Sequence, residues 1–294
     1  MTRIIEHIAE VSGDYDVLFC DLWGCVHDGV RAFPAAVEAL KTWRAEGRRV
    51  MILTNSPRPR PSVRRQLGRL GVPPECYDDI TTSGDAAQTA MIEGAVGRKV
   101  WHIGAKEHSS FFTEMAKDTA AEAAALPPIE LVPADAAEGI VCTGPFFEMT
   151  ETPSDYVERF KPLVERGVKL LCANPDIVVD QGEQRIYCAG ALAELYEDMG
   201  GTSLYFGKPH APIYDLARRR LHQIGIDEGR IAGIGDGPAT DVRGALENGI
   251  DAIFVSGGLA AWETRTEEQP EPEALAAYLR EKGLDPQFTI GRLR

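Results

Sequence analysis

The sequence predicts an α/β protein built on a doubly wound parallel sheet, with a large α/β domain inserted into it. Three observations carry this prediction. Wholly apolar runs such as Val17-Leu18-Phe19-Cys20 and Val50-Met51-Ile52-Leu53 read as strands buried on both faces, as parallel sheets require. Amphipathic helical segments alternate with these runs through short connections. Several runs end on polar residues, and in open α/β sheets ligands gather at the carboxyl ends of strands.

In chain order, residues 3–11 read as a short leading helix and 17–20 as the first strand, which ends on Asp21. Pro34 opens a helix through Val37, Leu40 and Trp43 that stops at Gly47. The strand 50–53 ends in Thr54-Asn55-Ser56, and a helix through Val63, Leu67 and Leu70 closes at Gly71. Residues 80–83 are one more short strand, with Gly84-Asp85 starting a helix. From residue 85 the same rhythm begins again. Strands are expected at 100–104, 139–144 and 169–173, helices at 107–125, 154–166 and 189–199. The last of these stops at Gly200-Gly201. Residues 85–200 are therefore expected to form the inserted domain, and 1–84 with 201–294 the main one. Ser203 to Phe206 lead into Gly207-Lys208-Pro209, followed by a helix over 211–224, a strand over 231–234, a helix over 241–248 and a strand over 252–255. The acidic segment 263–272 reads as a solvated loop, and 275–282 as the last helix.

With 294 residues and 44% hydrophobic content, the chain is long enough for two domains with sizeable cores. Its 31 basic and 45 acidic residues give a net charge of −14, which disfavours nucleic acid and anionic membrane surfaces as partners. The six cysteines form no C-x-x-C pair, and most sit in or beside apolar strands, as buried thiols in a reducing compartment do. No apolar run approaches the ~20 residues of a membrane helix, and the first residues lack a signal-peptide core. A cytoplasmic protein is expected, its oligomeric state open to a homo-oligomer.

Four polar groups converge on one edge of the main sheet. Asp21 ends the first strand, Thr54-Asn55-Ser56 the second, Lys208 opens a helix, and Asp236 and Asp241 follow the strand 231–234. Three clustered carboxylates repel and raise one another's pKa. A divalent cation and a nearby ammonium relieve that repulsion, and hard oxygen ligands favour Mg²⁺. The result is a hole suited to a phosphate.

This arrangement resembles the haloacid dehalogenase superfamily, mostly Mg²⁺-dependent phosphohydrolases with a Rossmann-like core. Val17 to Gly29 resembles its first motif, Leu53-Thr54-Asn55-Ser56 its second, Gly207-Lys208-Pro209 its third, and Gly235-Asp236-Gly237-Pro238-Ala239-Thr240-Asp241 its fourth. The insert between the second and third motifs, with Asn174-Pro175-Asp176 inside it, is similar to the class IIA branch. That branch includes 4-nitrophenyl-phosphatase-like enzymes and the phosphatase of the N-acetylglucosamine operon. The resemblance implies that Asp21 is a nucleophile forming an aspartyl-phosphate on a small phosphorylated metabolite, a sugar phosphate or a nucleotide. It implies Mg²⁺ on Asp21, Asp236 and the Trp23 backbone carbonyl, with Asp241 bound through water or supporting from behind. Thr54, Asn55 and Ser56 would hold phosphate oxygens, Lys208 would neutralise charge, and Asn174 and Asp176 would meet the substrate from the inserted cap.

One position departs from the pattern. Phosphatases of this superfamily usually carry an aspartate two residues after the nucleophile, which protonates the leaving oxygen and later activates water. Trp23 stands there and does neither. Either His27 or Asp28 supplies the proton, or the leaving group is good enough to depart without one, or the chemistry differs. A dehalogenase would leave Asp236 and Asp241 without a purpose, and a degenerate phosphoryl-ligand sensor would have no use for clustered charge.

Overall fold

The computed structural model describes residues 2–181 and 184–294. Its strands, in chain order, are β1 (Arg3–Ile4), β2 (Val17–Cys20), β3 (Arg49–Thr54), β4 (Asp79–Thr82), β5 (Lys99–Ile103), β6 (Glu130–Leu131), β7 (Gly139–Cys142), β8 (Lys169–Cys172), β9 (Val178–Gln181), β10 (Gln184–Tyr187), β11 (Thr202–Tyr205), β12 (Ile231–Gly235), β13 (Asp251–Val255) and β14 (Phe288–Ile290). Seven form one parallel sheet in the order β1-β14-β13-β12-β2-β3-β4. Chain order reverses between β12 and β2, so the carboxyl ends of those strands open a crevice where a doubly wound sheet places its ligand.

Alternation along β2 shows why the run is apolar throughout. Leu18 and Cys20 face one side, packed with Leu40 and Trp43 of the helix Pro34–Ala45 and Leu67 of the helix Arg60–Leu70. Val17 and Phe19 face the other, against Ile213, Ala217 and Leu221 of the helix Ala211–Gln223. Each such side chain contributes about 1.5–3 kcal/mol on burial, so neither face of β2 tolerates a polar residue before Asp21.

A second parallel sheet has the order β11-β8-β7-β5-β6, and an antiparallel hairpin, β9–β10, follows β8. Strand β11 pairs with β8 in this sheet. The second sheet therefore draws on residues beyond 200, where the sequence placed its boundary, because Ser203 to Tyr205 continue the same apolar pairing surface.

Three local expectations are corrected. Residues 3–4 form a strand and 8–14 a 3₁₀ helix, because Arg3 and Ile4 find their partners in Phe288 and Thr289 at the far end of the chain. The helix expected over 107–125 breaks into pieces at 106–109, 110–113 and 117–123. There the Gln88 side-chain amide donates to the carbonyls of Phe111 (2.6 Å) and Glu114 (2.7 Å), capping the chain where a helix would continue. The segment 263–272 is tied down rather than solvated. Thr264 is fully buried, and Gln269 donates to the Ile5 carbonyl (2.9 Å) and accepts the Gly291 amide (2.8 Å).

All six cysteines are buried free thiols, as the sequence predicts. Among the described residues no helix is long and apolar enough to cross a membrane.

Candidate active site

The crevice at the ends of β2, β3 and β12 is a cavity of about 280 Å³ whose floor holds Asp21, Lys208, Asp236 and Asp241. Lys208 is buried, and its Nζ donates to Asp21 Oδ1 and Asp241 Oδ1, both at 2.6 Å. Burial alone would discharge this ammonium. The carboxylates of Asp21, Asp241 and, farther off, Asp176 instead hold it charged well above its usual range. Burial raises the Asp21 carboxyl, with Lys208 pulling the other way, and pushes Asp241 up to about 6. The Asp236 carboxyl is raised well above the usual carboxylate range, by burial and then by its neighbours Asp21 and Asp241.

Asp236 has little to offset that penalty, since among the described residues its one hydrogen bond is accepted from the Leu259 amide (3.0 Å). Ligand atoms of Asp21, Asp236 and Cys25 lie within 4.8 Å of one another. Two buried carboxylates at this spacing, one nearly unpartnered, fit a hard divalent cation. The backbone allows the approach because Gly24 takes φ +74° and a Cβ there would strike the Asp236 carboxylate. Asp241, by contrast, is held by Lys208 and by the Gly237 amide (3.0 Å), a supporting position beside the pair.

Asn55 grips the lysine loop. Its Oδ1 accepts the Lys208 amide (2.7 Å), and its Nδ2 donates to the Lys208 carbonyl (3.0 Å) and to Asp176 Oδ1 (2.9 Å). The close approach depends on Gly207, whose Cβ would collide with Asn55 Oδ1, Pro175 and Ser83. The side chain expected on phosphate is thus engaged in fixing Lys208 and joining the two sheets' loops. Thr54 Oγ1 accepts the Ser56 amide (3.2 Å), shaping the turn beside it. Asn174 likewise shapes a turn, accepting the Asp176 amide on its Oδ1 (3.0 Å), which leaves the Asp176 carboxylate facing the cavity.

The flap after Asp21 gives its candidates different places. Trp23 lies against His27, ring centroids 5.2 Å apart and edge-on, and its indole N–H donates to the Asp180 carbonyl (2.5 Å) in β9. His27 is 1% exposed, accepts the Gly29 amide on Nδ1 (3.1 Å), and has its pKa lowered to about 4 by burial, only partly opposed by Asp28. Its ring is neutral at pH 7. Asp28 accepts the amides of Val30 (2.9 Å) and Arg31 (2.8 Å) on Oδ1. Slight burial opposes them, yet those amides and the Arg31 charge keep it below the usual carboxylate range. It is a turn-forming anion without a proton to give.

Sequence reading missed Cys25 and the outer wall. Cys25 is four residues from Asp21, and that spacing was the only signal for it. On the outer wall Arg58 donates to Gln66 (3.1 Å), and His108 Nε2 lies 3.4 Å from Glu148. These residues carry no local motif and meet only when the second sheet folds over the first.

The Trp23–Asp180 bond gives a direct expectation. A Trp23→Phe substitution removes about 0.5–1.5 kcal/mol of net hydrogen bonding. Amide hydrogen exchange over 178–187 should then quicken roughly 2–10-fold, with exchange in β2 unchanged. Unaltered exchange in the hairpin would show that the indole is no tether.

Comparison with known proteins shows the family to which this fold belongs. Residues 18–116 match the family described as haloacid dehalogenase-like hydrolase, and residues 205–282 a second, HAD-hydrolase-like family. A crystal structure of a haloacid dehalogenase-like hydrolase from Brucella suis 1330 is 37% identical, with a TM-score of 0.84, and covers 99% of this chain and 100% of that one. Among curated relatives, an acid sugar phosphatase of Staphylococcus haemolyticus is 26% identical over 37% of this chain and 41% of its own. A dihydroxyacetone phosphatase of Corynebacterium glutamicum is 30% identical over 33% of this chain and 35% of its own. The match thus spans about two-fifths or less of these curated relatives' length. Full-length likeness to the Brucella hydrolase, with an α/β insert between the second and third motifs, establishes that the chain belongs to the haloacid dehalogenase-like hydrolase family, in its class IIA branch.

Proposed function

We propose that this protein is a Mg²⁺-dependent phosphatase that hydrolyses a small phosphomonoester, a sugar phosphate or a nucleotide, through a phosphorylated Asp21. One observation carries the reading: a buried ammonium bridges Asp21 and Asp241, with the nearly unpartnered Asp236 beside them. In this reading an Asp21 oxygen attacks phosphorus in line, its bond forming as the bond to the leaving oxygen breaks. Lys208 screens the carboxylate from the phosphate dianion and takes up the charge that spreads over the equatorial oxygens. Asn55 keeps Lys208 in place, and amides of the Thr54–Ser56 turn would face the transferred group. Asp21, Asp236 and the Trp23 carbonyl would hold Mg²⁺, with Asp241 behind them. When bound, the cation supplies Lewis-acid stabilisation of the phosphoryl oxygens.

The second sheet acts as the cap over residues 85–200, extended to include Thr202–Tyr205, and closure over the substrate excludes water. The names of the relatives, acid sugar phosphatase and dihydroxyacetone phosphatase, favour a small phosphorylated metabolite. The reading is tested by inorganic phosphate release over a panel of phosphomonoesters, with Mg²⁺ or with EDTA. Mg²⁺-dependent release from at least one is expected. Silence across the panel would sink the hydrolase reading and favour a sensor that binds phosphoryl ligands without turnover.

A stability signature accompanies this site. Burial pushes the Asp241 carboxyl up to about 6 from its ordinary 3.8 and raises Asp21 and Asp236 as well. Groups raised on folding bind more protons in the native state, so the Asp241 contribution is full below about pH 4 and is lost as pH rises through about 6, and those of Asp21 and Asp236 are likewise lost as pH rises. In EDTA the thermal midpoint should therefore fall between pH 5 and pH 8. Mg²⁺ should raise it more at pH 8 than at pH 5. A midpoint that rises with pH in EDTA would contradict the arrangement.

A further inference from the structure

With tryptophan two residues after the nucleophile, the phosphatase reading lacks a proton donor, and the flap provides none. His27 is a neutral ring whose Nδ1 already accepts the Gly29 amide, and Asp28 is an ionised turn former. A carboxyl group does enter the cavity from the second sheet. Asp176 leaves the carboxyl end of β8 in the second sheet and lines the same cavity as Asp21 and Lys208. One of its oxygens accepts the Asn55 amide (2.9 Å), and the other meets no described residue in a hydrogen bond.

Its loop is held firmly. Pro175 packs against Gly207, the Asp176 carbonyl accepts the Gly190 amide (3.2 Å), and a Cβ at either glycine would collide with this loop. The position also suits in-line displacement. In such a displacement the leaving oxygen departs on the side away from Asp21, and Asp176 reaches the cavity from the second sheet, not from the sheet that carries Asp21.

Resting on the phosphatase reading above, we propose that Asp176 is the general acid and base that Trp23 cannot be. In the first step the Asp21 oxygen bonds to phosphorus while the bond to the leaving oxygen breaks. The bonding pair goes to that oxygen, and the Asp176 carboxyl delivers its proton there. In the second step the Asp176 carboxylate takes a proton from water as the water oxygen attacks phosphorus. The phosphorus bond to Asp21 breaks, its pair returning to the Asp21 carboxylate. Inorganic phosphate leaves, and Asp176 is again protonated. The environment suits both roles. Burial raises the Asp176 carboxyl to about 6, opposed by Lys208 and Asn55 and reinforced by Asp241. Asp21 and the buried thiols of Cys172 and Cys188 also interact with it, and Glu148, His108 and Asp236 line the same cavity.

The test compares wild type, Asp176→Asn and Asp176→Glu on an alkyl ester, glycerol phosphate, and an aryl ester, 4-nitrophenyl phosphate, whose leaving group departs without a proton. For Asp176→Asn, kcat/KM on the alkyl ester should fall about 10²–10⁴-fold, and on the aryl ester less than about 10-fold. Phosphorylated Asp21 should accumulate on the aryl ester as a burst of nitrophenol, because the base for the second step is gone. Asp176→Glu should recover part of the alkyl rate. The wild-type alkyl rate should decline as pH rises past the Asp176 titration, and Asp176→Asn should lack that limb. Equal losses on both esters, with no burst, would overturn the proposal and reduce Asp176 to a positioning residue acting through Asn55. Absence of release by the wild type from either ester would overturn the phosphatase reading itself, a separate result.

Discussion

Asp21→Asn should lower phosphate release by at least about 10⁴-fold, the scale of losing a covalent nucleophile, and yet leave the metal-free protein no less stable at pH 8. Three buried carboxylates share one ammonium on this floor, and all three are raised above their ordinary values. An amide in place of Asp21 keeps the shape, removes one of the repelling charges, and leaves Lys208 paired with Asp241. The thermal midpoint in EDTA should hold or rise, and the gain should shrink toward pH 5 as the remaining carboxyls take up protons. Lys208→Met provides the contrast. It strands the carboxylates without a cation, which costs about 3–5 kcal/mol for a broken buried pair, and it should remove activity and stability together. Scanning fluorimetry of both variants beside phosphate assays separates the cases. A drop for Asp21→Asn as large as that for Lys208→Met would show that the ion pair outweighs the repulsion, and that the site is not strained for function.

The main sheet and its four motifs were legible because their signals are local. Val17 to Cys20 is apolar at every position, and only a strand packed on both faces explains that. Asp21, Asn55, Lys208, Asp236 and Asp241 each sit at a strand or helix end that the hydrophobic rhythm locates. What stayed hidden depends on partners far along the chain. Arg3 and Ile4 are a strand only because Phe288 and Thr289 lie beside them. The hairpin β9–β10 carries no strong alternation, and among the described residues the Trp23 indole, 157 positions from Asp180, hydrogen-bonds it to the loop after β2. Asn55 looked like a phosphate ligand in its motif. Its grip on the Lys208 backbone and on Asp176 appears only when three segments converge. Asp176 was named in the sequence only through its Asn-Pro-Asp turn, and nothing local in that turn tells that its carboxylate lines the cavity with Asp21 and bonds Asn55.

Arg220→Met is expected to destabilise the protein by about 3–5 kcal/mol, because it strands a buried charge. Arg220 is fully buried on the helix Ala211–Gln223, donates to Asp85 Oδ2 (2.6 Å) and to the Ile80 carbonyl (3.0 Å), and lies 3.4 Å from Asp118. Asp85 sits in the first turn of the helix Ser83–Ile92, which leads out of the main sheet, and Asp118 in the helix Lys117–Ala123 of the inserted segment. One guanidinium therefore holds the joint between the two parts. Arg60 assists through Asp118 (3.2 Å), but Asp118 is partly exposed, so Asp118→Asn should change stability by only about 0–1 kcal/mol. The double variant Arg220→Met with Asp85→Leu distinguishes the causes. If the single variant fails because Asp85 is left charged in an apolar setting, removing that charge should recover 1 kcal/mol or more, on the order of the coupling between contacting residues. If the double variant is no better than the single, the loss comes from the guanidinium's bonds to the Ile80 carbonyl and its packing, and the ion pair sets the geometry of the joint without stabilising it.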